Sequence, residues 1–168
     1  MTAAVPAVAL GDVLEPVSRA ESVRAAGTYD LLGAHWYARG LYTKDSKLGT
    51  AIQAKTLYRV EAGDFVYNRL FAWKGSFALA DEVNHGCHVS NEFLCYRVAA
   101  RRVDPQYLLL YFSRPSAWTE ALGLSTGSTP TSRNRLKEER FLAMQMPLPP
   151  VGLQRTIACR VRAVLGKL

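Results

Sequence analysis

No run of apolar residues in this 168-residue chain approaches the roughly 20 that a membrane helix needs. The opening Met1-Thr2-Ala3-Ala4-Val5-Pro6 has neither the basic flank nor the long apolar stretch of a signal peptide. Cysteine is scarce. Cys87, Cys95 and Cys159 form an odd set without Cys-x-x-Cys spacing, which argues against a disulfide framework and fits a reducing compartment. The expected location is the cytoplasm, with no membrane contact. Internal repeats and low-complexity tracts are also missing, which excludes solenoids and arrays.

Catalytic signatures are lacking too. A DNA methyltransferase needs an Asn/Asp-Pro-Pro-aromatic loop, but the only double proline, Pro149-Pro150, lies between Leu148 and Val151. No stretch supplies the GxxxxGK[ST] of a phosphate-cradling loop. A metal-dependent nuclease needs clustered carboxylates. Asp64 is followed by Tyr67, Asn68 and Arg69, and Ala72-Trp73 precede Lys74 where an acid would be wanted. Asp81-Glu82 are adjacent, and on a strand they would point to opposite faces. His85, Cys87 and His88 lie close together, yet zinc sites draw ligands from two separated pairs and no second cluster exists. Ser76, in Lys74-Gly75-Ser76-Phe77, lacks the second glycine of a nucleophile elbow. No catalytic residue, metal or cofactor is expected.

The last part of the chain has few acids. Residues 1–100 hold ten Lys/Arg against ten Asp/Glu, whereas residues 101–168 hold eleven against four, so the whole +7 charge lies there. A polyanionic partner explains such an asymmetry through counterion release, and a merely solvated basic surface explains it as well.

What is present is a single domain's worth of sequence. Hydrophobic residues at 49% and charged residues at 21% place it among ordinary globular chains, long enough to bury a core. The first hundred residues read as β-rich. Short apolar runs at Ala51–Val60, Phe65–Asn68, Ser76–Ala80 and Cys87–Val98 are bounded by Gly, Asn and Asp, and Asn84-His85-Gly86 reads as a loop tip. After Arg101 the period changes. Asp104-Pro105 predicts a capped helix with Tyr107, Leu108, Tyr111 and Phe112 at helical spacing. Arg114-Pro115 ends it, and a second helix is expected from near Ser116 to about Leu122. Gly123–Asn134 is a loop, Leu136–Met144 a short helix, and Met146–Pro150 an extended exit stiffened by proline. From Val151 a further helix carries Leu153, Ile157, Val161, Val164 and Leu168 near heptad spacing. The fold class expected is α+β. A single domain over 1–150, with a twisted β-sheet and short helices, precedes a helix over 151–168.

Two loops carry the candidate chemistry. Tyr67 to Phe77 interleaves aromatics with Arg69 and Lys74, and Ser125 to Arg135 offers hydroxyls, backbone amides and two guanidinium groups. Arginine pairs bidentately with guanine edges, asparagine with adenine, and hydroxyls or amides grip phosphates. The candidates for DNA contact are Arg69, Lys74, Arg133 and Arg135, followed by Tyr67, Asn68, Ser128, Thr129 and Ser132. A solvated turn is the plain alternative for each residue singly.

Motifs in order along the chain resemble the target-recognition domains of type I restriction-modification specificity subunits. They run from Val8-Ala9-Leu10-Gly11-Asp12-Val13 through Leu57–Phe65, Asn68–Phe77 and Val89-Ser90-Asn91-Glu92-Phe93. They continue with Pro105-Gln106-Tyr107-Leu108 and Gly127–Leu136, and end with Met146-Pro147-Leu148-Pro149-Pro150 leading to Gln154-Arg155. The resemblance implies a domain that reads one half of a split double-stranded DNA target. It also implies partners: a methyltransferase subunit and a restriction-translocase subunit that carry the catalysis. In such families the helix after the proline-rich exit begins a coiled-coil spacer. One recognition unit, where two are usual, leaves two assemblies open: a half-subunit dimerising through residues 151–168, or a piece of a longer chain. Two other readings of the residues stand beside this one, a protein-interaction module with a basic surface and a metal-dependent nuclease.

Overall fold

Ten short strands, among the described residues, precede the first α-helix, as the β-rich reading of the first hundred residues requires. The computed structural model describes residues 4–127 and 134–165. The strands are β1 (Ala7–Ala9), β2 (Leu14–Val17), β3 (Ala20–Ser22), β4 (Thr28–Ala34), β5 (Leu41–Leu48), β6 (Thr56–Arg59), β7 (Phe65–Asn68), β8 (Phe77–Leu79), β9 (His88–Val89) and β10 (Phe93–Val98). Helices α1 (Pro105–Phe112), α2 (Pro115–Leu124) and α3 (Glu138–Leu142) follow, then β11 (Gln145–Pro147) and α4 (Val151–Leu165).

The α+β class is as expected, and the strands divide among three sheets. One has the order β2-β10-β7-β8, a second β3-β6-β9-β4-β5, and the third is the pair β1-β11. The run Cys87–Val98 is therefore not one strand. Its first part joins the five-stranded sheet and its second the four-stranded one, and Ser90-Asn91-Glu92 turns the corner between them. Periodicity cannot see such a switch, because both pieces have the same apolar content.

Strand β7 shows why the two larger sheets stay together. Phe65 and Tyr67 enter the cluster shared with the helices, while Val66 enters the cluster shared with the other sheet. A strand buried on both faces reads as a continuous apolar run, and Phe65-Val66-Tyr67 is one. Strand β5, at a sheet edge, is by contrast almost wholly exposed, and its Lys44, Asp45 and Lys47 discourage pairing with another chain. Before β7 the chain turns at Gly63, whose φ of 89° glycine adopts without strain. Asp64 there is held by two hydrogen bonds from Arg19, at 2.6 and 3.1 Å.

The helical half packs on the four-stranded sheet through aromatic rings. Phe141 of α3 lies 4.3 Å from Tyr67 and 5.3 Å from Tyr96, centroid to centroid, and Phe77 lies 4.4 Å from Phe112. Asp104 caps α1 as its sequence predicts, accepting from the backbone N–H of Gln106 and Tyr107 at 3.0 and 3.1 Å. Tyr107, Leu108, Tyr111 and Phe112 are the buried face of that helix. The helix expected over Leu136–Met144 is shorter, because Leu136 instead donates its N–H to the Arg69 carbonyl at 2.9 Å. The proline-rich exit is extended and pairs with the first strand, Val8 opposite Met146.

In α4 the fully buried residues are Gln154 and Ala158, and of the expected seam Ile157 packs half-buried against the core. Leu153, Val164 and Leu165 are exposed by 48%, 63% and 58%, and Leu168 lies outside the described residues. Gln154 has no exposed surface. Its Oε1 accepts from Asp104 N–H at 2.8 Å, and its Nε2 donates to the carbonyls of Arg102 (3.0 Å) and Pro149 (2.7 Å). One side chain thus ties the start of α4 to the cap of α1 and to the proline exit.

Candidate nucleic-acid interface

The segment 67–77 runs from the end of β7, through a 3-10 turn over Ala72–Lys74, to the start of β8. Its residues go to different places. Tyr67 is a correction to the sequence reading: its side chain has no exposed surface, and its hydroxyl donates to the Leu136 carbonyl at 3.2 Å. Strand alternation turns it to the core side, where burial pushes its pKa up, so no groove can be reached from there. Asn68, next in the strand and facing the other way, closes a turn by accepting the Leu70 N–H at 3.0 Å.

Arg69 and Arg135, far apart in sequence, converge on one carboxylate. Glu92 accepts from Arg69 Nε at 2.9 Å on one oxygen and from an Arg135 terminal nitrogen at 2.8 Å on the other. The backbone supports this arrangement. Arg69 N–H donates to the Glu92 carbonyl at 2.9 Å, and Arg135 is bridged to Thr126 by two backbone bonds at 2.9 and 3.0 Å. The two loops singled out in the sequence therefore meet. The carboxylate that joins them is half-buried, with 24% of its side chain exposed. Ser128, Thr129, Ser132 and Arg133 lie outside the described residues.

Lys74 is separate from that pair. Its ammonium stands 4.6 Å from the centre of the Trp73 ring and 5.3 Å from that of Trp36, a cation over two π faces. Gly75 ends the turn with φ 76°, and a Cβ there would meet the Trp118 ring at 2.6 Å. The carbonyls of Lys74 and Gly75 accept the N–H groups of Tyr37 and Ala38, at 2.8 and 2.7 Å. The tip of the β4-β5 hairpin is thereby held against the 67–77 segment. Sequence reasoning missed this tip and missed Glu92. The signal that could have marked the tip is its composition, His35-Trp36-Tyr37-Ala38-Arg39-Gly40, the same mixture of aromatics and cations as in Tyr67–Phe77.

Several groups with catalytic potential are engaged in contacts of their own. No group of three or more His, Cys, Asp or Glu that could hold a metal occurs among the described residues. His88 pairs with Glu21 at 2.8 Å, His85 accepts from the Ala62 N–H at 3.3 Å, and Asp81 accepts from the N–H groups of Val83 and Asn84 within its own turn. Burial, with Asp64 nearby, pushes the Cys95 thiol up to about 12, which keeps it protonated and unreactive at neutral pH. No helix among the described residues is long and apolar enough to cross a membrane.

This assembly of three sheets, a helical cap and a proline-rich exit into a helix is the fold of a target-recognition domain of an HsdS specificity subunit. The chain is similar to the HsdS subunit of Thermoanaerobacter tengcongensis, with a TM-score of 0.79 and 18% identity over 96% of this chain and 42% of that one. It is similar also to a chain from a structure describing complex assembly and conformational transition of a type I R-M system, at TM-score 0.77, 18% identity and the same coverages. The resemblance read from the ordered motifs thus holds at the level of fold, and the chain spans less than half the length of both solved chains. No protein-family model and no curated protein matches the sequence.

Proposed function

We propose that this chain reads one half of a split duplex DNA target as a type I specificity subunit or half-subunit, in the cytoplasm. Separate methyltransferase and restriction-translocase partners would supply the chemistry. The observation that carries the reading is the fold shared with HsdS over 96% of the chain. The convergence of Arg69 and Arg135, with Lys74 on the same segment as Arg69, agrees with it, since guanidinium groups held in fixed register are what base-edge readout requires.

The test is selection of random duplexes on the chain, with and without its methyltransferase, followed by sequencing. A single short motif is expected. Replacing Arg133 and Arg135 together by alanine should weaken binding to that motif by about 1–3 kcal/mol for each base-reading guanidinium removed, and should flatten the salt dependence. Unchanged affinity and salt slope would remove the loop from the interface. Absence of any salt-dependent duplex binding would favour the protein-interaction reading, and Mg²⁺-dependent cleavage by the isolated chain would favour a nuclease.

The exposed Leu153, Val164 and Leu165 on α4 support assembly through residues 151–168, with a second copy as the proposed occupant. Light scattering should then show a dimer at high micromolar concentration that Leu153→Glu returns to a monomer. A monomer at that concentration without the substitution would exclude the half-subunit arrangement.

A further inference from the structure

Three aromatic rings from separate elements stand half-exposed around one opening. Trp36 at the β4-β5 tip is 44% exposed, Tyr42 on β5 39%, and Phe71 after β7 39%. Trp36 and Phe71 lie 6.1 Å apart, centroid to centroid, at 40°. Below them is a cleft of about 310 Å³ where the five-stranded sheet meets the end of β7 and the start of β10, with an apolar lining that includes Val89 and Phe93. Asn68, Ser90 and Lys44 add polar groups to its lining, and Lys74 stands over the Trp36 ring at the rim.

The surrounding backbone is arranged to keep this opening. Tyr37 and Ala38 have φ of 63° and 52°, a left-handed conformation that side-chain-bearing residues seldom adopt. It persists because their N–H groups are bonded to Lys74 and Gly75, which fixes Trp36 beside Phe71. Strain of this kind concentrates where position matters for function. Opposite it, Gly33 pairs with Tyr42 across the hairpin, and a Cβ at Gly33 would come within 2.5 Å of the phenol ring. Only glycine lets that ring lie across the strand.

We propose that this cleft receives one nucleobase turned out of the bound duplex. The volume is at the lower end of the range for ligand sites, about 300–1,000 Å³, and suits a single flat ring system rather than a peptide segment. Half-exposed rings offer stacking faces that any base satisfies. The amide NH₂ of Asn68 and the Ser90 hydroxyl can meet a base edge, while Lys44 and Lys74 suit the adjoining phosphates. An apolar protein side chain would also fill such a cleft. The flanking lysines, and the continuity with the segment that carries Arg69, favour the nucleic acid. Turning a base out costs stacking and pairing, so the cleft acts only on DNA already gripped elsewhere. The inference therefore rests on the DNA-recognition reading.

The test uses the full chain alone, without a methyltransferase that would turn out a base of its own. The selected duplex is scanned with one mismatch at a time, changing only the partner base. At one position the mismatch removes pairing that the protein must otherwise break, and binding should tighten by about tenfold or more. Trp36→Leu, which keeps apolar bulk without a stacking face, should abolish that gain, and Trp36→Phe should restore most of it. Gly33→Ala, which displaces only the far end of the Tyr42 side chain, should reduce the gain with little effect on thermal stability. Sequence-specific binding with a flat mismatch scan, or a gain that survives Trp36→Leu, overturns the cleft proposal and leaves the DNA reading standing. A flat scan together with loss of methyltransferase assembly in Trp36→Leu assigns the cleft to a protein side chain. Failure to select any duplex overturns both readings.

Discussion

Gln154→Leu is expected to destabilise the domain by about 3 kcal/mol or more, although it replaces a polar residue by an apolar one of similar size. The side chain is fully buried and makes three hydrogen bonds, to Asp104 N–H and to the carbonyls of Arg102 and Pro149. Leucine leaves all three backbone groups without that partner, and each buried unsatisfied group costs about 1–3 kcal/mol. For a domain of this size each kcal/mol lowers the melting temperature by about 2–4 °C, so a fall of roughly 6–12 °C is expected in calorimetry. Gln154→Glu gives a second check with a signed pH dependence. The carboxylate still accepts from Asp104 but faces two carbonyls it cannot donate to, so its folded-state pKa should lie above the unfolded value of about 4.3. Stability should then be higher in mild acid, where the carboxyl donates a hydrogen bond to one carbonyl, and should fall as pH rises through the raised pKa. A Gln154→Leu protein that melts with the parent would show that the exit and α4 are held by apolar packing alone.

Glu92→Gln should change binding more than stability. The two ion pairs are partly exposed, and such pairs contribute at most about 1 kcal/mol each. In binding, the carboxylate has two roles under the proposed function. It sets the orientation of Arg69 and Arg135, and it competes with DNA phosphates for the same guanidinium groups. Removing its charge should strengthen binding to scrambled duplex and steepen the log–log salt slope by roughly 1, about the value of one additional phosphate contact. Discrimination in favour of the selected motif should drop by about 1–3 kcal/mol, or roughly 5- to 150-fold. Fluorescence anisotropy on selected and scrambled duplexes over a salt series measures both quantities. Equal weakening on every sequence would mean that Glu92 supports the loops without orienting base-reading groups.

Much of the helical half was legible because its signals are local. Asp104-Pro105 predicts a cap that depends on hydrogen bonds two and three residues away, and the cap forms as read. The break at Arg114-Pro115 and the extended proline exit follow from the same short-range rules. The sheets were less legible. Cys87–Val98 has one composition and two destinations, and the β4-β5 hairpin has an exposed edge strand with hardly any apolar pattern to detect. Tyr67 looked like a ligand-contacting residue because it precedes Asn68 and Arg69, yet the alternation of a strand sends neighbours to opposite sides. Glu92 lies in one of the ordered motifs, but its role as a site residue was not legible because its partners Arg69 and Arg135 are distant in sequence.

By itself the sequence determined the class of fold, the capped start of α1, the proline exit and the missing catalytic motifs, all of which depend on nearest neighbours or on composition. The ordered motifs also led to the fold that HsdS shares with this chain. Only the tertiary structure decided that Arg69 and Arg135 meet on Glu92, that Gln154 faces inward while Leu153 and Val164 of α4 face out, and that Trp36 and Phe71 frame a cleft. Each of these is a contact between segments distant in sequence. Such contacts are selected by the burial of the whole core, and no local rule of residue type or spacing encodes them.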